Sequence, residues 1–210
     1  MKHTDRYDLY TPLSHIINFK DVDILDFGGS FGNLIQSSNG RIDSKNYTCA
    51  DVDNDAILLG KKDYPEATWI HLDLYNPMYN PSGNGVISLP KKYDVIFSYS
   101  VFTHTTFECF LETTSTLKNY LTPTGKIYAT MVTTANEEMI KWFTDKRILQ
   151  YGECDDFIET DTYFYLVNNK VQKIAPLKCD YLVSVYNEKF LSTMGKLHYP
   201  DLLQTLVEIY

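Results

Sequence analysis

The chain has 210 residues, 44% of them hydrophobic and 22% charged, enough for one domain with a proper core and ordinary for a globular protein. Its formal net charge is −8 and its pI about 5.0. That balance speaks against a broad phosphate-neutralising face, and so against nucleic acid as a partner.

The four cysteines, Cys49, Cys109, Cys154 and Cys179, are widely spread with no CxxC pair. A disulfide framework or zinc site is disfavoured, and a reducing, cytoplasmic setting is the simplest expectation. Met1 to Asp8 contain no apolar signal core, and no run is long enough for a bilayer span.

Val22–Phe27 reads as an apolar first strand. It runs into Asp26-Phe27-Gly28-Gly29-Ser30-Phe31-Gly32, a glycine-rich turn, and helical patterning follows from Asn33. Glycine has no Cβ and reaches positive φ at little cost, so such a turn lets the backbone approach a ligand. Tyr47–Ala50 is a second strand, Asp53 the N-cap of a helix over Asn54–Lys62, and Thr68–Leu72 a third strand. Asn76–Gly85, rich in Pro, Gly, Asn and Ser, is a long loop. Tyr93–Ser98 is a fourth strand. A helix over Thr106–Leu121 follows, opened by a Thr105/Glu108 capping box, with Phe107, Phe110, Leu111, Thr114, Leu117 and Leu121 on one face. Lys126–Val132 is a fifth strand. Strand–helix alternation implies right-handed crossovers and a mainly parallel sheet covered on both faces.

Beyond residue 135 the pattern changes. Thr162–Val167 and Val171–Ala175 flank Asn168-Asn169-Lys170 as a β-hairpin, and Asp180–Val185 is a further strand. Asn187–Met194 is a short helix and Gln204–Tyr210 a closing strand. The expectation is a single domain, its core at about 20–135 and 186–210 and an insertion at about 136–185. Long insertions in compact folds often serve as lids or binding loops. The Tyr163–Ala175 hairpin with the acidic Glu153-Cys154-Asp155-Asp156 is a candidate lid; a dimer contact or a plain sheet extension are the alternatives.

Four features fall at the carboxyl ends of successive strands, where open α/β sheets bind ligands. They are the glycine turn, Asp51 after strand two, Asp73 in His71-Leu72-Asp73-Leu74, and Ser98-Tyr99-Ser100-Val101-Phe102-Thr103-His104 after strand four. The set resembles the class I S-adenosylmethionine-dependent methyltransferases over residues 22 to 132, and more loosely beyond. Asp26-Phe27-Gly28-Gly29-Ser30-Phe31-Gly32 is similar to the D-x-G-x-G-x-G loop of that family, with Ser30 in place of the middle glycine. Tyr47–Asp53 resembles its second motif, Tyr93–His104 its fourth, and Leu117–Met131 the helix, turn and fifth strand that follow. Gly28, Gly29 and Gly32 do not fit the G-x-G-x-x-G spacing of dinucleotide folds.

The resemblance implies a Rossmann-like, doubly wound α/β fold: a seven-stranded, mostly parallel sheet ending in an antiparallel hairpin, with Gln204–Tyr210 the last strand and Lys196–Tyr199 its partner. It implies S-adenosyl-L-methionine as cofactor and S-adenosyl-L-homocysteine as product. Asp51 would accept from the ribose hydroxyls, Val52 pack on adenine, and Asp73 accept from the adenine amino group beside the Leu74 amide. Gly28, Gly29, Ser30 and Gly32 would let the chain pass the methionine portion; Ser98 and Tyr99 would lie beside the sulfonium. Asp26 either holds the loop through backbone N–H groups or is a simple turn residue. His104 is the candidate general base; its alternative is to cap the next helix or shape the pocket. His71 reads as structural. Tyr7 and Tyr10 either close over the cofactor or pack. Strand four ends without the aspartate of magnesium-dependent catechol-type enzymes, so no metal is expected. Asn76-Pro77-Met78-Tyr79 reads as a turn, since the N-P-P-Y motif it faintly matches follows strand four. The expected activity is methyl transfer to oxygen or nitrogen of a small molecule. A protein or RNA methyltransferase, or a non-catalytic cofactor-binding regulatory protein, is the alternative.

Overall fold

The structure is a computed structural model. It describes residues 8–76, 79–133, 135, 156–159, 163–167, 182–200, 202 and 204–210, and of residues 156–159, 163–167, 182 and 183 the backbone only. Strands β1 (Ile24–Phe27), β2 (Tyr47–Asp51), β3 (Thr68–His71), β4 (Tyr93–Ser98) and β5 (Leu121–Thr133) pair in parallel in the order β3-β2-β1-β4-β5. Every residue of β1 and β2 is buried, as central parallel strands covered on both faces require, whereas the edge strand β3 is only partly covered.

The two-residue period of a strand sends alternate side chains to opposite faces. Ile24, Tyr47, Cys49, Phe97 and Tyr128 meet Leu13 of α1 (Tyr10–Ser14), Leu34 and Ile35 of α2 (Asn33–Ser37) and Ile57 of α3 (Asn54–Asp63). Leu25, Ile96, Ile127, Ala129 and Met131 meet Phe110 and Leu117 of α4 (Phe107–Lys118) and Leu191 of α5 (Glu188–Met194). Asp26, between Leu25 and Phe27, therefore points a carboxylate toward the first of these cores.

Beyond β5 the sheet forks. Ile127–Met131 pair antiparallel with β10 (Thr205–Ile209), which is antiparallel to β9 (Gly195–His198). This branch completes the seven-stranded order β3-β2-β1-β4-β5-β10-β9, with the antiparallel ending that was expected. Val132 and Thr133 instead pair in parallel with β8 (Leu182–Tyr186), followed by β7 (Tyr163–Val167) and β6 (Asp156–Glu159), each antiparallel to its neighbour. At 13 residues β5 is long enough for both partners on one edge. The insertion thus contributes a three-stranded extension of the sheet.

Some expectations shift. The partners of β7 are β6 and β8; the expected partner strand, Val171–Ala175, lies outside the described residues, as do Tyr7 and the Glu153–Asp155 run. The cap of α4 is Thr106, whose Oγ1 accepts from the Cys109 N–H at 3.2 Å. Thr105, the expected cap, instead donates to the Phe102 carbonyl at 3.4 Å. A 3-10 turn at Phe102–His104 carries the chain one residue further before the helix begins. Leu111 is exposed rather than core, and Leu121 opens β5. Asp53 caps α3 as expected, accepting from the Asp55 and Ala56 N–H groups at 3.0 and 3.1 Å. No helix among the described residues is long and apolar enough to cross a membrane.

Trp69 of β3 wedges against the helices on its face of the sheet. Its indole N–H donates to the Tyr64 carbonyl at 3.0 Å, and a Cβ at Gly60 of α3 would overlap its ring. Gly60→Ala will therefore lower stability by about 1–3 kcal/mol, the usual cost of overpacking, despite the better helix propensity of alanine. Urea unfolding at neutral pH measures this; a variant at least as stable as wild type contradicts the wedge.

Candidate functional site

The order of the parallel strands reverses at β1, which has β2 on one side and β4 on the other. Connections leave toward opposite faces at that point, opening a crevice at the carboxyl ends. A cavity of about 360 Å³ lies there. Phe27, Gly28 and Ser30 line it after β1, Ala50–Asp53 at β2, Leu72 and Leu74 after β3, and Tyr99–Phe102 with His104 after β4.

The glycine turn owes its shape to what surrounds it. The Gly28 N–H continues the ladder to the Ala50 carbonyl at 2.7 Å, and the residue has φ +72°. A side chain there would collide with Val101, so turn and post-β4 loop meet closely at the cavity. Gly29 and Gly32 are not cavity residues. A Cβ on Gly29 would lie 2.5 Å from the Asp26 carboxyl carbon, and one on Gly32 would lie 2.7 Å from Cη2 of Trp69. These two glycines accommodate the protein's own side chains. Ser30, at φ +52°, is held from two sides. Its N–H donates to Asp51 Oδ2 at 2.7 Å, and its carbonyl accepts from the Cys49 thiol at 3.4 Å.

Asp51 links two loops. Besides taking the Ser30 N–H, it accepts the Asp53 N–H on Oδ1 at 2.8 Å. Burial pushes its carboxyl above the usual range, against the pull of those amides. Each carboxylate oxygen still has acceptor capacity. Asp26 plays a different part from either sequence expectation. It is buried, and its Oδ2 accepts from the Tyr47 hydroxyl at 2.5 Å. Desolvation, opposed by that hydrogen bond and reinforced by the Asp51 charge, pushes its pKa up to about 7.

The remaining expected residues divide. Val52, Leu74, Tyr99 and His104 line the cavity. Ser98 and Asp73 do not. Ser98 is fully buried at the end of β4. Asp73 is exposed; its Oδ1 accepts from Asn80 Nδ2 at 3.3 Å and its carbonyl from the Gly85 N–H at 2.7 Å. His71 Nε2 sits 3.2 Å from the Val52 carbonyl, a structural contact as expected. Tyr10 packs against Phe19 and lies under Arg41, away from the cavity.

Six lining residues lie outside the strand-end segments picked from the sequence: Tyr75, Asn76, Tyr79, Thr105, Cys109 and Thr113. Asn76 Oδ1 accepts the Tyr79 N–H at 2.9 Å, the turn read from the sequence, but only the folded loop brings it to the cavity. Cys109 and Thr113 are four apart on α4, a spacing that puts them on one helix face and was readable in advance.

No family model matches the sequence, and no curated protein does. Solved structures do match. The glycopeptide N-methyltransferase MtfA, solved with S-adenosyl-L-homocysteine, aligns with 98% of this chain and 90% of its own, at 9% identity and TM-score 0.59. The DhpI–SAM–HEP complex aligns with 90% of this chain and 78% of its own, at 14% identity and TM-score 0.51. A TehB-like SAM-dependent methyltransferase from Corynebacterium glutamicum aligns with 61% of this chain at 19% identity and TM-score 0.45, and the chain spans 64% of that protein's length. At such identities it is the architecture that is shared: the chain has the fold of the S-adenosylmethionine-dependent methyltransferases.

Proposed function

We propose that the cavity binds S-adenosyl-L-methionine and that the protein transfers its methyl group to oxygen or nitrogen of a small molecule, with S-adenosyl-L-homocysteine as product. One observation carries this reading. Asp51 lines the cavity with its carboxylate fixed by two backbone amides and with acceptor capacity left over, between the close-packed turn at Gly28 and the apolar Val52, Leu72 and Leu74. A ribose diol, a backbone-hugging chain and a flat base need those three surfaces side by side. Two carboxylates, Asp51 and Asp53, and neither lysine nor arginine are among the described lining residues, which suits a cationic ligand.

Asp51 would hold the ribose, Gly28 and Ser30 the methionine portion, and Val52 and Leu74 the adenine. Bound there, the cofactor supplies an electrophilic methyl on a sulfonium. The chain's own contribution is to hold the acceptor in line with that methyl and to keep water away. Tyr99, which lines the cavity, would offer its ring to the positive charge of the sulfonium. His104, which lines the cavity after β4, would take a proton from an acceptor that carries one at rest. The insertion, joined to β5 through β8, would cover the acceptor side. The acidity of the chain and the match to a glycopeptide N-methyltransferase both favour a small or natural-product acceptor over RNA.

Melting wild-type protein with and without S-adenosyl-L-methionine or S-adenosyl-L-homocysteine tests the reading. At about 100-fold excess over Kd, binding adds roughly 2.7 kcal/mol, or roughly 5–10 °C for a chain of this size. No shift with either compound ends the proposal. Once an acceptor is found by labelling cell extract with methyl-tritiated cofactor, His104→Gln will lower kcat by about 100-fold while leaving the Kd for S-adenosyl-L-homocysteine nearly unchanged. An unaffected kcat makes His104 a wall residue.

A further inference from the structure

The loop from Ser98 to Thr106 walls one side of the cavity in a conformation its sequence does not favour. Ser100 carries a Cβ yet has φ +57°. Left-handed backbone is costly for such a residue and persists only where neighbours hold it. All but one of the holding groups come from distant parts of the chain. The Ser100 N–H donates to Oγ1 of the buried Thr130 on β5 at 2.8 Å, and Ser100 Oγ lies 3.1 Å from Thr103 Oγ1. Gln204, 104 residues away and directly before β10, donates from Nε2 to Ser100 Oγ at 2.9 Å. The far end of the loop is tied to β8, where Ser184 Oγ donates to the Thr105 carbonyl at 2.6 Å and the Tyr186 hydroxyl to the Phe102 carbonyl at 3.3 Å.

Gln204 is an odd residue to bury. It is 4% exposed, and its Oε1 has no hydrogen-bond partner among the described residues. Leaving half of a primary amide unsatisfied is unfavourable, and an apolar side chain of similar volume would fill the space without that cost. Among the described residues, the one hydrogen bond of the amide is to Ser100, whose loop faces the cavity.

We propose that Gln204 is a positioning residue for methyl transfer: through Ser100 it fixes the wall formed by the loop after β4, against which the sulfonium end of the donor rests. This rests on the cavity being the donor site. In that case the carboxyl end of the chain, far from the glycine turn in sequence, sets donor affinity without touching the donor.

The experiment is a double-mutant cycle read by calorimetric titration of S-adenosyl-L-homocysteine. Gln204→Met, which keeps volume and removes the amide, and Ser100→Ala will each weaken binding by about tenfold, and the double variant will be no weaker than the worse single one. Gln204→Glu, whose carboxylate accepts the Ser100 hydroxyl, will bind within about threefold of wild type. A merely structural role lowers the melting temperature of the free protein in all Gln204 variants without this pattern of loss and rescue. Where Gln204→Met fails to fold, Gln204→Asn, too short to reach Ser100, gives the same readout. Wild-type affinity in Gln204→Met, or losses that multiply in the double variant, overturn the proposal while leaving the donor site intact. Wild-type protein that does not bind overturns the donor site and this proposal with it.

Discussion

Asp51→Ala will lose most of the rise in melting temperature that S-adenosyl-L-homocysteine gives the wild-type protein, an increment of roughly 2.7 kcal/mol at about 100-fold excess over Kd. A vicinal diol donates two hydrogen bonds to one ionised carboxylate, each worth about 1.5–3 kcal/mol. Removing the acceptor therefore weakens binding by about 100-fold or more. The free variant will also be less stable, because the Ser30 and Asp53 amides lose the partner they now have at 2.7 and 2.8 Å. The diagnostic quantity is thus the ligand-dependent increment, compared variant by variant. Asp51→Asn keeps one acceptor oxygen and should fall between wild type and Asp51→Ala. An Asp51→Ala increment equal to that of wild type removes the ribose assignment. Because burial holds the Asp51 carboxyl above its ordinary range, affinity will also begin to fall with acidification at a higher pH than for a free aspartate.

Asp26→Asn will be more stable than wild type at pH 8, by as much as about 4 kcal/mol. The carboxyl is buried beneath Gly29, on the same face of the sheet as Tyr47 and Cys49, and its pKa rises from 3.8 to about 7. The folded state thus keeps a proton that the unfolded chain releases between those values. Stability conferred by the neutral acid is complete below about pH 4 and is lost as pH rises to about 7. Above that the protein carries an unpaired buried charge, eased by the Tyr47 hydroxyl and worsened by Asp51. Asparagine does not titrate, and its Oδ1 can still accept from Tyr47. Urea unfolding of both proteins from pH 5 to pH 9 should show curves that diverge as pH rises. Parallel curves would show that Asp26 titrates like an exposed carboxylate.

These two aspartates mark how far the sequence could be read. Both were picked out by their places at the ends of β1 and β2, and one was given a ligand role that remains the reading for it. Spacing along the chain could not tell that Asp51 braces the glycine turn, or that Asp26 finds its partner on β2, 21 residues on. The glycines show the same divide. Gly28, Gly29 and Gly32 all announce a tight turn, but only Gly28 reaches the cavity; the other two make room for Asp26 and Trp69. Asp73 lies outside the cavity lining for a related reason. The loop after it doubles back, and the Asn80 amide reaches it, a contact that no local pattern encodes.

What the sequence settled by itself was whatever depends on near neighbours. The five strands in their succession along the chain, the Asp53 cap and the glycine turn are written in short stretches, because backbone preference and the sorting of apolar side chains act over a few residues. Tertiary structure decided which of those residues share a wall. The fork of β5 between β10 and β8, the Thr105-to-Thr106 shift of the α4 cap, and the grip of Gln204 on Ser100 depend on segments up to 104 residues apart. Long-range pairing of that kind is fixed by complementary shape and by the need to satisfy buried polar groups, which only the folded chain brings together.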